Sequence, residues 1–229
     1  MTRISVVIPV LNEADRIAAT LAALAPLRDR GHEVIVVDGG SSDGTATLAR
    51  RAADRVASAP RGRSSQMNAG AALAQGEVLV FVHADTRLPE DADARVLQGL
   101  AASDRAWGRF DVRIEGASVF LPVIAFFMNL RSRATGIATG DQAIFIRRET
   151  FERAGRFPPL ELMEDIALSR SLKRVSPPLC LADKAVTSGR RWERRGVLRT
   201  VLLMGWLRLA FFFGAAPAKL ARLYDGERG

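Results

Sequence analysis

A chain of 229 residues, 48% hydrophobic and 25% charged, has the length and make-up of one large globular domain with a substantial core. Its net charge of +8 comes mainly from 30 arginines spread along the whole chain, with no tight basic patch of the kind that binds nucleic acid. Cys180 is the only cysteine, which excludes an intrachain disulfide and a cysteine-built metal site and fits a reducing cytosol.

Residues 4–10 form a β-branched apolar run that predicts a buried strand, closed by Pro9, Asn12 and Glu13. The opening lacks the basic, apolar and small-residue order of a signal peptide, so none is expected. Ile17, Leu21, Leu24 and Leu27 then recur at helical spacing. Residues 33–38 predict a second strand, and the Gly39-Gly40-Ser41-Ser42-Asp43-Gly44 turn leads into a helix over 45–53. A short strand at 56–58, a helix over 64–74 and a buried strand over 77–83 follow, the last running into Ala84-Asp85-Thr86. Further on, 106–114 and 143–147 predict strands and 164–174 a helix. Strands alternating with helices imply right-handed crossovers and a mainly parallel sheet with helices on both faces. Ligands of such sheets gather at the carboxyl ends of the strands. Those ends carry Asn12-Glu13, Asp38 and His83-Ala84-Asp85, so three polar clusters are expected to converge.

Two stretches are unusually apolar. Residues 116–130 carry no charge, but Pro122 interrupts them; 197–220 are punctuated by Arg199, Arg208 and Lys219. Neither reaches the roughly 18 uncharged residues of a spanning helix. The first is expected to be a core helix. The second suits either a core helix or in-plane membrane contact, because arginines flank Trp206 and Phe211, Phe212 and Phe213.

The acidic strand ends point to diphosphate chemistry. Hard carboxylate oxygens suit Mg²⁺ or Mn²⁺, which offset charge on a departing diphosphate. Asp85 suits that role or a turn cap. Asp38, with Gly39-Gly40 behind it, suits close approach of a ligand or a tight turn. The turn holds neither a G-x-G-x-x-G nor a Walker lysine, which argues against a dinucleotide fold and a P-loop. Glu164 and Asp165 open a helix, where one could cap and the other act as a base. Arg190-Arg191-Trp192 places guanidinium groups beside an indole, suited to a diphosphate or to a solvated basic run.

Taken in order, these segments resemble the inverting family 2 glycosyltransferases of the GT-A fold. IPVLNEADRI (8–17) resembles the opening strand and P-x-x-N-E turn. VVDGGSSDGT (36–45) resembles the segment whose first Asp contacts the base. Residues 61–86 resemble the basic loop, Asn-x-Gly helix and D-x-D strand; 139–157, 163–172 and Arg190-Arg191-Trp192 complete the set. The whole chain also resembles a small bacterial branch linked to arsenosugar biosynthesis, a label that concerns the acceptor. The resemblance implies an α/β GT-A domain over 1–195 and a helical extension over 196–229, packed on the domain or touching membrane. It implies transfer of a sugar from a nucleotide-sugar, by family habit a UDP-sugar, to a hydroxyl of a small-molecule or lipid acceptor with inversion. Asp85 would ligate the cation, and Asp165, with Glu164 beside it, would serve as base. Pro9, Asn12, Glu13, Asp38, Gly40, Asp43, Arg63, Asn68, His83, Ala84, Arg191 and Trp192 would line the nucleotide, and Gly140, Asp141 and Gln142 the sugars. Two positions depart from the family. His83 replaces the first D-x-D carboxylate, which leaves less charge facing the cation. Ser188 stands where processive enzymes carry Gln or Arg before R-W, which favours a single transfer. Two other readings stay open: a sugar nucleotidyltransferase, and a membrane-associated nucleotide-binding protein without activity, in either case cytoplasmic or peripheral at the inner face of the membrane.

Overall fold

The structure is a computed structural model that describes residues 2–226, without the side chains of Arg191 and Asp225. In chain order the elements are β1 (Ile4–Val10), α1 (Ala14–Ala23), α2 (Ala25–Asp29), β2 (Glu33–Asp38), α3 (Thr45–Ala49), β3 (Arg55–Ser58), α4 (Arg63–Leu73), β4 (Val78–Phe81), β5 (Thr86–Arg87) and α5 (Ala92–Ala101). Then come β6 (Trp107–Glu115), α6 (Leu121–Thr135), a 3₁₀ turn (Gly140–Gln142), β7 (Phe145–Arg147), α7 (Arg148–Arg153), α8 (Glu164–Leu172), β8 (Leu179–Ser188), α9 (Arg190–Arg195), α10 (Val197–Phe212) and α11 (Pro217–Gly226). One sheet takes the order β3-β2-β1-β4-β7-β6-β8-β5. Strands β3, β2, β1 and β4 are all parallel, as are β6 and β8, while β7 runs antiparallel to both its neighbours and β5 to β8. The fold is α/β with a mostly parallel central sheet.

Every residue of β1 and β2 is buried, which explains why both read as unbroken apolar runs. The pleat divides them between two layers. Ile4, Val6, Ile8 and Val10 join Val34 and Val36 under Ile17 and Leu21 of α1 and Val96 and Leu100 of α5. Val7, Ile35 and Val37 face the other way, onto Met67 and Ala71 of α4. Each fully buried aliphatic side chain contributes roughly 1.5–3 kcal/mol, so β1 and β2 anchor the parallel half of the sheet. Helix α4 lies so close to it that a Cβ on Gly70 would sit 2.4 Å from Val7 Cγ1 and 3.1 Å from Val37 Cγ2.

Several expectations need correction. The strand expected over 77–83 ends at Phe81, and the chain turns through His83, whose carbonyl accepts the Thr86 N–H at 3.0 Å. The helix expected over 45–53 stops at Ala49. Pro122 does not interrupt a helix but starts one, in the first turn of α6, where its missing N–H has no partner to lose. That helix is not a core helix either: Phe120, Val123, Phe126, Phe127 and Leu130 are exposed, while Leu121, Ala125 and Met128 face β6. Helix α10 is similarly two-faced. Leu207 is buried with Leu162, Met163 and Ile166 around the start of α8, whereas Leu202, Trp206, Leu209, Phe212 and Phe213 face outward. Among the described residues no helix is long and apolar enough to cross a membrane.

The Gly70 contact gives a direct test of this packing. Gly70→Ala should destabilise the protein by about 1–3 kcal/mol through overpacking, and should lower the melting temperature by several degrees, at about 2–4 °C per kcal/mol for a chain of this size. An unchanged melting temperature would show that α4 does not sit where the structure puts it.

Candidate active site

Strand β1 sits between β2, which extends the sheet one way, and β4, which extends it the other, so the topological switch point lies between β1 and β4. Pairing of β1 with β4 ends at Val7 and Phe81, while β1 runs on beside β2 to Val10. Pro9 lies beyond the last β4-paired residue, where its lack of a donor leaves that ladder intact. The strands thus part at their carboxyl ends and leave a crevice.

The rim of the crevice is built by side-chain bonds to backbone. Asn12, in the left-handed region at φ 54°, donates its N–H to Ser41 Oγ at 2.9 Å and accepts the Ser42 N–H on Oδ1 at 2.9 Å. Glu13 N–H reaches Thr45 Oγ1 at 2.8 Å, and its carboxylate pairs with Arg16 at 2.7 Å. Burial pushes the Glu13 carboxyl up, Arg16 opposes this, and the charges of Asp85 and Asp43 add to the rise. Glu13 and Asp85 therefore do converge on one edge. Asp43 accepts the Ala14 and Thr45 N–H groups, each at 3.0 Å, and bonds to the Thr45 hydroxyl hold its carboxyl below the usual range. Both its oxygens are engaged in tying the two loops together.

Asp38 is the buried residue of this rim. Its Oδ2 accepts the N–H groups of Gly40 and Ser41, each at 3.0 Å, with Gly40 at φ 93°. Its Oδ1 is buried and meets no donor within the described protein. A buried carboxylate oxygen without a donor is unfavourable unless a ligand supplies one. Behind it, Gln66 donates to both Val10 O at 2.7 Å and Val37 O at 2.8 Å, joining α4 to the ends of β1 and β2. Gln66 was not anticipated from the sequence; its only signal is its place in the basic-loop segment.

The second wall comes from β4, the 3₁₀ turn and α8. Thr20 donates to Ala84 O at 2.6 Å and fixes the turn that carries Asp85, which is partly exposed. Gly140 is where the three segments meet. Its N–H donates to Asp165 Oδ2 at 2.9 Å, and a Cβ added to it would lie 2.4 Å from the His83 ring. His83 Nδ1 stands 3.5 Å from Asp141 Oδ1. A small cleft here is lined by His83, Gly140, Glu164 and Asp165 over an apolar floor of Met67, Phe81 and Phe157. Asp165 Oδ1 accepts the Ile166 N–H at 2.7 Å within the first turn of α8, and the residue also faces the cleft. Glu164 is buried, which pushes its carboxyl up, and Asp165 adds to the rise while Arg63 opposes it. Burial works against the Arg63 charge, but Glu164, with Tyr224, Asp141 and Asp165 behind it, holds the guanidinium above its ordinary value.

Other expected positions lie elsewhere. Gln142 is fully buried; its Oε1 accepts the Thr139 N–H at 3.2 Å and its Nε2 donates to Asn129 at 3.3 Å, so it closes the turn and does not face a sugar. Asn68 donates to Phe157 O at 2.8 Å and accepts the Phe157 N–H at 3.1 Å, which places its amide behind the cleft. Trp192 packs on the cluster of Val112, Ile114, Leu121 and Ala125. The Arg191 side chain lies outside the described residues.

Among the described residues no three His, Cys, Asp or Glu side chains are grouped to hold a metal ion. Asp85 can offer one hard oxygen ligand, and His83 leans toward Asp141. That donor set fits a Mg²⁺- or Mn²⁺-type ion that takes one or two protein carboxylates and completes its shell with water and substrate phosphates.

A crevice at the switch point of a mostly parallel sheet, rimmed by carboxylates and closed by a helix-borne pair of acids, is the arrangement of GT-A glycosyltransferases. The chain belongs to glycosyl transferase family 2, whose model matches residues 5–155. An uncharacterized glycosyltransferase of Mycobacterium bovis is 37% identical over 83 residues, and this chain spans only 36% of its length. Among solved structures, a mannosyltransferase from Pyrobaculum calidifontis in complex with GDP-Man and Mn²⁺ superposes with a TM-score of 0.62 at 24% identity, covering 81% of this chain and 56% of that one. Glucosyl-3-phosphoglycerate synthase from Mycobacterium tuberculosis, in complex with Mn²⁺, UDP and glucosyl-3-phosphoglycerate, gives 0.60 at 21% identity, covering 81% and 71%. These likenesses show the fold.

The raised Glu164 carboxyl has a consequence for stability. The folded state holds this proton to higher pH than the unfolded chain, whose carboxyl titrates near its ordinary 4.5. Stability is therefore lost as pH rises from that value through the folded one. Glu164→Gln removes the titration, so its melting temperature relative to wild type should climb between pH 4 and pH 7. A constant difference across that range would refute the burial argument.

Proposed function

We propose that the protein transfers a sugar from a UDP-sugar to an acceptor hydroxyl with inversion, aided by Mg²⁺ or Mn²⁺. The observation that carries the reading is the pairing of a donorless buried Asp38 Oδ1 on one wall of the crevice with Asp165, held by the Gly140 N–H, on the other. Asp38 Oδ1 suits an N–H of the nucleotide base, with Asn12, Glu13, Gly40 and Asp43 shaping the loops around it. Arg63 is the cationic group assigned to the nucleotide, Trp192 having its indole in the β6–α6 cluster, and Asp85 is the carboxylate assigned to the cation, with His83 and Ala84 beside it. When bound, the cation offsets charge on the leaving diphosphate.

The transfer is one displacement. Asp165 takes the proton of the acceptor hydroxyl. The acceptor oxygen attacks the anomeric carbon in line, the carbon–oxygen bond to the diphosphate breaks, and its electron pair leaves on the diphosphate oxygen. Gly140 and Asp141 flank the sugar. Glu164 is the more buried of the two and burial pushes its carboxyl up, so Asp165 is the residue assigned as base. The arsenosugar-branch resemblance bears only on the acceptor.

Calorimetry of UDP with and without Mn²⁺, and release of UDP from a UDP-sugar, test the assignments together. Asp85→Ala should abolish metal-dependent UDP binding. Asp165→Asn should bind UDP nearly as wild type but turn over roughly 10²-fold or more slowly. Near-normal turnover in Asp165→Asn, or metal-dependent UDP binding that survives Asp85→Ala, refutes the corresponding role.

We also propose peripheral contact with a membrane. Trp206, Leu209, Phe212 and Phe213 of the α10 region, and Phe126, Phe127 and Leu130 of α6, are exposed apolar groups on a chain of net charge +8, which suits an anionic lipid surface. Because α10 also packs under α8, truncation would open the core, so substitution is the cleaner test. Wild type should float with vesicles containing anionic lipid, and the Trp206→Ser, Phe212→Ser, Phe213→Ser triple variant should float markedly less. Equal flotation, or none by wild type, would remove the membrane from this reading.

A further inference from the structure

Among the described residues other than glycine, Asn12, Ala143, Arg156 and Met163 have left-handed backbone. Two of these have ordinary reasons. The short amide of Asn12 bonds to the neighbouring loop, and Arg156 stands in the exposed turn after Gly155. Ala143, at φ 46°, and Met163, at φ 69°, have no such reason, and both are buried. A Cβ in this region crowds the following carbonyl, so the conformation persists only where the surroundings impose it.

The two residues flank the two partners of one hydrogen bond. Ala143 closes the 3₁₀ turn by donating its N–H to Gly140 O at 3.2 Å, and the carbonyl of the next residue, Ile144, accepts the Phe81 N–H at 2.9 Å. The sheet thus pins Ala143. Met163 opens α8, its carbonyl accepting the Ala167 N–H at 3.0 Å. Ser, Thr, Asp or Asn suits that position, whereas Met163 makes no side-chain cap. Between the two lies the bond from the Gly140 N–H to Asp165 Oδ2. Asp165 is the second residue of α8, so the backbone angle at Met163 sets the direction in which the helix presents its carboxylate. Packing keeps that angle. Met163 is buried with Leu207 of α10 and with Leu220 and Tyr224 of α11.

We propose that Met163 is a positioning residue for Asp165: its side chain, clamped by α10 and α11, holds a left-handed backbone that aims the carboxylate into the cleft. The proposal rests on the reading of Asp165 as the base and adds what aims it. A base must stand within hydrogen-bond reach of the acceptor hydroxyl, and a small misplacement is costly. Glycine would take the same angle freely but would also leave it. Methionine stays because its unbranched side chain fills the gap between the helices.

The test compares Met163→Leu, Met163→Gly and Met163→Ala in the full chain. The readouts are hydrogen exchange of the Gly140 amide relative to the β1 amides, affinity for UDP with Mn²⁺, and release of UDP from UDP-glucose. Leucine keeps an apolar anchor of similar volume, so Met163→Leu should stay within about threefold of wild type throughout. Met163→Gly takes the angle without cost but lacks the anchor. Its Gly140 amide should exchange roughly tenfold faster relative to β1. Met163→Ala lacks the anchor and still bears the cost of the angle, so its Gly140 amide should exchange faster again. Helix propensity alone would make Ala the milder change, so the opposite order reads the angle itself. UDP affinity should change less than about twofold, while turnover falls roughly tenfold or more in Met163→Gly and further in Met163→Ala.

The proposal is overturned if Gly140 exchange rises only in step with β1, which would make Met163 a packing residue and nothing more. It is also overturned if Met163→Ala is the milder variant, or if the variants lose UDP binding, which would assign Met163 to the donor site. Should Met163→Ala not fold, Met163→Leu against Met163→Gly decides. If wild type leaves UDP-glucose intact, the exchange order decides by itself. UDP binding that is absent from wild type brings down the glycosyltransferase reading, while the exchange order still decides whether Met163 aims Asp165.

Discussion

One hydrogen bond, from the Gly140 N–H to the Asp165 carboxylate, fixes the acid of the cleft against the turn after α6, where Ala138 and Ser169 also bond one another. It joins the turn after α6 to the first turn of α8. Because Gly140 has no side chain, the His83 ring at the end of β4 can close over it, at a distance where any Cβ would collide. The sheet end, the turn and the helix are thereby held in one relation. That relation sets the direction of the Asp165 carboxylate and stands beside the approach of His83 to Asp141. A small residue is required here by the close approach and not by a special backbone angle, since Gly140 is absent from the glycines with positive φ.

The support for this site extends past the segment that matches the family. That match ends at residue 155, yet the acid pair lies at Glu164 and Asp165. Helix α8 is seated by Leu207 of α10 and by Leu220 and Tyr224 of α11, which pack with Leu162, Met163 and Ile166. Arg170 adds a cation–π contact, 5.2 Å above the Phe211 ring. The C-terminal helices therefore do two jobs at once. Their inner face positions the helix that carries the acid pair, and their outer face is free to meet an apolar surface. A surface bound at the outer face would sit one helix away from the chemistry.

The legible half of the fold was the half in which both layers are apolar. Strands β1 and β2 have the same limits as their apolar runs, because every residue in them is buried. Strand β8 escaped notice for the opposite reason. It is only partly buried, carries Asp183 and Lys184, and lies next to the two-residue edge strand β5, so neither hydrophobic run nor alternation marked it. The outward faces of α6 and α10 could not be told from core faces, since an apolar residue has one spelling whether it meets protein or lipid. Among site residues, the acidic strand ends were visible as carboxylates with no packing role. Gln66, Gln142 and Asn68 were not separable from ligand-binding polar groups, because only the structure shows that their amides are used on backbone or on one another.

Charge ties these observations together. The cleft brings Asp141, Glu164 and Asp165 into the field of Arg63, Arg131 and Arg208. Three acids and three arginines come near neutrality as a group, but they do not affect one another equally. Arg63 is held above its ordinary value by the acids, whereas Arg131 and Arg208 fall below theirs. The acids outweigh burial at Arg63, whereas burial outweighs them at Arg131 of α6 and Arg208 of α10. Burial sharpens the contrast, since a low local dielectric strengthens both the attraction on one side and the repulsion on the other.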